Sequence, residues 1–153
     1  VRILSLTEPW ASLVAVGAKR IETRSWPTKV CGPIGIHASL KMPNWAIDCL
    51  WDEAFSAPLV QAGVLTPEQV GETYKRVPAF FPRGHIIAVC ELVDCFKFTP
   101  ETVAAIGEPE RSFGDYTLGR YGFRLANVRR LDTPVPARGA LGFWHYDLEG
   151  ADR

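Results

Sequence analysis

The sequence predicts an α+β domain, a small and mostly antiparallel β-barrel with helices at its ends. Three observations predict it. Strand-like segments dominate, helical periodicity is confined to the connections between them, and no internal repeat interrupts the order. With 153 residues, 47% of them hydrophobic, the chain has material for one core, and residues 1–153 are expected to form one domain.

Arg2 to Leu6 has the pattern of a buried strand. Thr7 offers an N-cap, with Glu8 and Pro9 in the first turn, and Trp10, Leu13 and Val14 recur at helical spacing until Gly17 stops the helix. From Arg20 to Trp26 the chain alternates as a strand. Ile21, Thr23 and Ser25 face one way, and Arg20, Glu22, Arg24 and Trp26 the other. Ile34, Ile36 and Ala38 form the apolar face of the next strand, with Gly35, His37 and Ser39 on its reverse.

A helical insertion is expected at about residues 43–76, with helices over Asn44 to Phe55 and Pro67 to Lys75, the second capped by Thr66. Gly84 to Phe98 is the longest β signal. A short helix after Thr99 and a polar loop over Gly107 to Gly119 precede two last strands, Tyr121 to Leu131 and Gly142 to Leu148. Trp144 is expected to fill the barrel.

Composition narrows the function classes. The longest apolar runs, such as Ile86 to Cys90, are far too short to cross a bilayer, and the first residues carry no long apolar signal core. A cytoplasmic protein without a membrane partner is the expectation. The four cysteines, Cys31, Cys49, Cys90 and Cys95, form no CxxC pair and have no zinc-ribbon spacing. They are expected to be small buried apolar side chains, with Cys90 and Cys95 on opposite faces of their strand. Neither a metal nor a cofactor is expected.

Net charge is zero, 17 basic groups against 17 acidic, but the charges are segregated along the chain. Residues 1–43 hold six basic and two acidic groups, residues 44–74 hold five acidic and no basic, and residues 119–138 hold five basic and one acidic. The basic blocks fall on strands and the acidic blocks on helical connections. Local potential steers a charged ligand, so neutrality overall is compatible with an anionic partner.

Gly17, Lys19, Glu22 and Arg24 carry the most chemistry. A helix ending in glycine delivers a lysine just before a strand that holds Glu22 and Arg24 on one face. An arginine held by a carboxylate presents a fixed fork for phosphate or a base edge. A nearby lysine adds a charge, or a general acid/base if burial lowers its pKa. The same residues also suit a structural ion-pair network closing the barrel.

The segment LSLTEPWASLVAVGAKRIETRSW resembles the opening of an ASCH domain (activating signal cointegrator homology), a branch of the PUA-like superfamily. The matching features are the PWA turn, the GxKxxExR stretch at Gly17, Lys19, Glu22 and Arg24, and the SW that follows. GPIGIHAS resembles the family's next strand, with Cys31 where an arginine often precedes the glycine. GRYGFRLANVRRL followed by PVPARGALGFW resembles the C-terminal half of bacterial and phage members.

This resemblance implies a PUA-like pseudo-barrel of five to six strands with peripheral helices, and a cleft beside the first helix that takes RNA or another nucleic acid. Lys19, Glu22 and Arg24 would line the cleft, Ser25 and Trp26 would form its rim, and His37 and Ser39 would approach from the neighbouring strand. Arg120 and Tyr121 open the C-terminal block and join the nucleic-acid-binding candidates. Arg120, Arg124, Arg129, Arg130 and Arg138 could follow a phosphate backbone. Strand parity places Arg124 and Arg130 together and Arg129 opposite. Trp10 suits core packing or base stacking, Trp26 ligand stacking or barrel-end packing, and His37 a structural hydrogen bond or a ligand contact.

Some small bacterial relatives resemble hydrolases of acylated cytidine that read GxKTxTxR, with threonine where this chain has Glu22. That departure removes the expected nucleophile, and Thr23 faces the other way. A ribonuclease activity has also been associated with the family; Lys19, Glu22, His37 and Tyr121 are the catalytic candidates for an enzyme on RNA or modified nucleosides. The leading expectation is a binding module for single-stranded RNA or one modified or flipped nucleotide. The alternatives are that enzyme, or a protein-interaction module using the acidic insertion at residues 44–74.

Overall fold

A computed structural model describes residues 1–148 and shows an α+β fold built on one six-stranded sheet. The last five residues of the expected domain lie outside that range. The strands are β1 (Arg2–Leu6), β2 (Ile21–Arg24), β3 (Gly32–Ala38), β4 (His85–Lys97), β5 (Tyr121–Pro136) and β6 (Phe143–His145), in the order β2-β5-β4-β3-β1-β6. Only the β1–β3 pair is parallel. The sheet curls until its edges approach. Trp26, just beyond β2, meets Phe143 of β6 edge-on at 6.0 Å and Phe123 of β5 at 5.3 Å.

Helix α1 (Trp10–Ala15) fills the curl. Ala11, Val14 and Ala15 pack on Leu4, Leu6, Ile34, Ile36, Ile87, Phe123 and Leu125, the inward set of alternating strand residues. Gly17 ends the helix with a φ of 84°, a left-handed conformation that a glycine adopts at no steric cost. The expected Thr7 cap is not made. Glu8 does that work: its Oε1 accepts the Ser12 N–H at 2.8 Å and its Oε2 the Ser12 hydroxyl at 2.7 Å. Glu8 is fully buried, and burial pushes its pKa up to about 7 against the lowering effect of Ser12 and the Arg83 charge.

The insertion builds a second core. The expected long helix is broken: α2 (Asn44–Asp48) passes into a tight turn over Cys49–Trp51, and Asp52 adopts an extended conformation to cap α3 (Glu53–Gln61) through Ala54 N–H. Thr66 does cap the next helix, α4 (Pro67–Val70), which ends at Gly71 well short of Lys75. Leu13 on α1 joins Leu50, Phe55, Leu59, Val77 and Phe113 in this core. The final helix, α5 (Pro100–Ala104), is capped by Thr99. Among the described residues no helix is long and apolar enough to cross a membrane.

Strand irregularities overturn two parity expectations, and a third, for Trp144, fails on the regularly paired β6. The β4–β5 register shifts three times, and Asn127 takes a left-handed φ of 52°. Val128 therefore packs with Phe123 and Leu125, whereas Leu131 packs with Ile3 and Ile86 on the outer face. Arg124 and Arg130 thus lie on opposite faces. The shift between Leu92 and Asp94 likewise brings both Cys90 and Cys95 against the inner core. Of the four cysteines only Cys90 is fully buried, and Cys31 is exposed. Phe143, not Trp144, enters the curl; Trp144 packs on the outer cluster.

Candidate functional site

Edge strand β2 carries the charged stretch, and Glu22 is its hub. One carboxylate oxygen, Oε2, accepts from Arg24 Nε at 2.9 Å and lies 2.9 Å from Nη2; the other faces Lys19 Nζ at 3.5 Å. Arg24 Nη2 also donates to the Ser5 carbonyl oxygen at 2.9 Å, joining β2 to β1 across the curl. Nη1 makes no hydrogen bond among the described residues.

Lys19 is only 1% exposed, and its Nζ donates to the Ile21 carbonyl oxygen. The Glu22 carboxylate and the Ile21 carbonyl stand in for the water that this buried side chain loses. The loop before β5 seals it in. The Glu110 carboxylate accepts from the backbone N–H groups of Arg20 at 2.7 Å and Ile21 at 3.3 Å, and Asp115 N–H donates to Thr23 Oγ1 at 3.3 Å. Burial raises the Glu110 pKa, opposed by those backbone donors and the Lys19 charge. This contact also occupies donors that an edge strand would otherwise expose. The Tyr116 hydroxyl in the same loop is buried without a partner among the described residues.

Two hollows meet at Arg24 and Ser5. The first, of about 730 Å³, is aromatic and acidic: Trp10, Trp45, Phe55 and Phe113 line it together with Glu22, Asp52 and Asp115. Trp10 stands 5.6 Å from Trp45 and 5.9 Å, edge-on, from Phe55. Trp45 is 63% exposed, an unusual state for a tryptophan. Thr117 holds the Asp115 carboxyl below its ordinary range, so it stays ionised.

The second hollow, of about 780 Å³, is basic. Arg24, Lys41 and Arg138 line it with His37, Ser39 and Gly139, and among the described residues no carboxylate does. Lys41 and Arg138 are exposed and make no ion pair among the described residues. A separate cavity of about 570 Å³ lies beyond α1, where Arg130 donates to the Ala62 carbonyl oxygen.

His37 is 2% exposed and fully engaged. Its Nε2 faces the Ala137 carbonyl oxygen at 2.9 Å and so must donate; Nδ1 then accepts from the Ser5 hydroxyl at 3.0 Å, which in turn accepts from Trp144 Nε1 at 3.0 Å. Burial lowers its pKa against the opposing Ala137 contact, favouring the neutral ring.

The structure therefore brings Lys19, Glu22 and Arg24 together, with Glu22 and Arg24 on the cleft wall and Lys19 sealed behind them. His37 and Ser39 enter the second hollow. Ser25 is exposed, and Trp26 packs at the barrel end under the Arg24 guanidinium, 5.8 Å from its ring centroid. Arg120 is tied to Asp115, and Tyr121 packs against the inner core opposite Arg24 on β5. Trp45, Asp52, Phe55, Phe113, Asp115 and Lys41 also line the hollows and were not among the expected site residues. They lie outside the strand blocks, and exposed Trp45 in the acidic insertion is the one signal that could have pointed to them.

The family model of the ASCH domain matches residues 4–134, and the chain belongs to this family. It is 30% identical to activating signal cointegrator 1 of Mus musculus over 157 residues and to that of Homo sapiens over 156, in each case covering 94% of this chain and 22% of the relative. The chain thus spans about a fifth of the length of these relatives. The crystal structure of ASCH from Zymomonas mobilis superposes with a TM-score of 0.52 at 14% identity, covering 97% of this chain and 88% of the other, and shares its fold.

Proposed function

We propose that this ASCH domain binds single-stranded RNA, or one flipped or modified nucleotide, across Arg24. The base enters the aromatic hollow and a phosphate enters the basic one. The observation that carries this is the position of Arg24 and Ser5 as the wall common to both hollows, with Arg24 Nη1 left over for the ligand. A nucleotide has this polarity, a flat face for stacking and an anion one sugar away. The nucleic-acid preference implied by the family resemblance agrees.

Three features favour binding over turnover. Lys19 is sealed from the cleft, both His37 nitrogens are committed, and Glu22 stands where the acylcytidine hydrolases carry threonine. The test is the affinity of short single-stranded RNA oligomers, read by fluorescence anisotropy. Trp45→Ala and Arg138→Ala alter exposed side chains, and each is expected to weaken binding about tenfold. Unchanged affinity in both variants would remove the proposal's support.

A further inference from the structure

We infer that the aromatic hollow selects a positively charged base, one alkylated on a ring nitrogen, over neutral bases. This rests on the nucleotide reading of the site and specifies which nucleotide. The first observation is charge. Three carboxylates, Glu22, Asp52 and Asp115, line the hollow. Lys19 and Arg24 pair with the first and Arg120 with the third, whereas Asp52 has no cationic partner among the described residues. Directly beside this hollow lies the second, whose charged lining side chains are all cations. A phosphate alone would avoid the first hollow, and a simple cation would avoid the second. A ligand carrying a cationic ring and a phosphate satisfies both.

The second observation is the spread of the carboxylates. Among the described residues no group of acidic, histidine or cysteine side chains converges closely enough to hold a metal ion. Their charge is distributed around the hollow, which suits a delocalised organic cation better than a point charge. The Asp52 carboxylate keeps one oxygen on Ala54 N–H as the α3 cap, and Asp115 is held by Thr117, so both are fixed before a ligand arrives.

The third is the aromatic lining. Trp45 offers an exposed indole beside Trp10, and a ring cation over an indole face gains electrostatic attraction that a neutral base lacks. Stacking alone tolerates every base; adding charge makes the hollow discriminate. Glu22 is already balanced by Lys19 and Arg24, and Asp115 by Arg120, so Asp52 carries the discrimination.

The experiment compares one short RNA oligomer with cytosine, 3-methylcytosine or 5-methylcytosine at its centre, by fluorescence anisotropy at pH 7. The two methylated bases are isomers, and only the 3-methyl form is cationic. The 3-methylcytosine oligomer is expected to bind about tenfold tighter than the other two. In the Asp52→Asn variant, where asparagine keeps the cap, that ratio is expected to fall toward one. Equal, measurable binding of all three oligomers overturns the inference and leaves the nucleotide reading intact. An equal gain from both methyl groups overturns it in favour of apolar methyl recognition. A ratio unchanged in the Asp52→Asn variant overturns the role of that carboxylate, and no binding of any oligomer overturns both readings.

Discussion

Arg24 Nη2 lies 2.9 Å from the carbonyl oxygen of Ser5, a bond between the edge strand β2 and the parallel strand β1 that no ladder supplies. One guanidinium thereby holds the curl and divides the aromatic hollow from the basic one. Its fork is fixed by Glu22, so the cleft wall is in place before a ligand arrives.

Replacing Arg24 with lysine separates charge from fork. Lysine retains one positive charge but cannot serve Glu22 and the Ser5 carbonyl at once. Arg24→Lys is expected to lower unfolding free energy by about 1–2 kcal/mol and RNA affinity about tenfold. Urea denaturation with anisotropy on the folded variant checks this. Wild-type values in both would show that charge alone suffices.

Lys19→Met tests the sealed lysine. Removing it leaves half of the Glu22 carboxylate without its partner, and a loss of about 3 kcal/mol is expected. Because Lys19 does not line the cleft, folded variant at low temperature should bind RNA within about threefold of wild type, the residual effect of a displaced Glu22. A stable variant that had lost binding would place the ammonium on the ligand.

Glu8 makes stability fall as pH rises. Its pKa, raised from 4.5 to about 7, means that the folded chain holds a proton that the unfolded chain releases across this window. Stability from this group is complete below 4.5 and lost as pH rises through about 7, by about 3 kcal/mol. Glu8→Gln should remove that slope in urea titrations between about pH 4 and pH 8. Parallel curves for variant and wild type would contradict it.

Gly139 has no room for a methyl group. A Cβ there would stand 2.8 Å from His37 Cε1 and 3.0 Å from Ser5 Oγ, inside the chain Trp144–Ser5–His37–Ala137. Gly139→Ala is expected to cost about 1–3 kcal/mol by forcing that chain apart. Thermal unfolding and the His37 imidazole NMR signals provide the readout, and an unperturbed ring would show that the loop yields instead.

Much of this was legible in the sequence because periodicity and glycine placement are local. Leu4, Leu6, Ile34 and Ile36 alternate into the core as their spacing requires, Gly17 ends α1, and Glu22 pairs with Arg24 as neighbours on one strand face. What failed depends on irregularity or on distant chain. The bulges around Asn127 and Leu92 reverse parity without leaving a pattern, so Arg130 and Cys95 changed sides. Lys19 became buried under Glu110, which binds the backbone of Arg20 from ninety positions away, and the aromatic hollow needs Trp45, Phe55 and Phe113 brought from two separate connections.

The salt dependence of RNA binding tests the two-hollow site most directly. Each phosphate neutralised on a single strand contributes about 0.7 to the slope of log affinity against log salt. Lys41→Ala/Arg138→Ala, which removes two cations of the basic hollow, should make the slope shallower by about 0.7, the share of the one phosphate held there, while the circular dichroism spectrum is retained. A slope identical to wild type would mean that the phosphate lies elsewhere and that the nucleotide does not bridge Arg24.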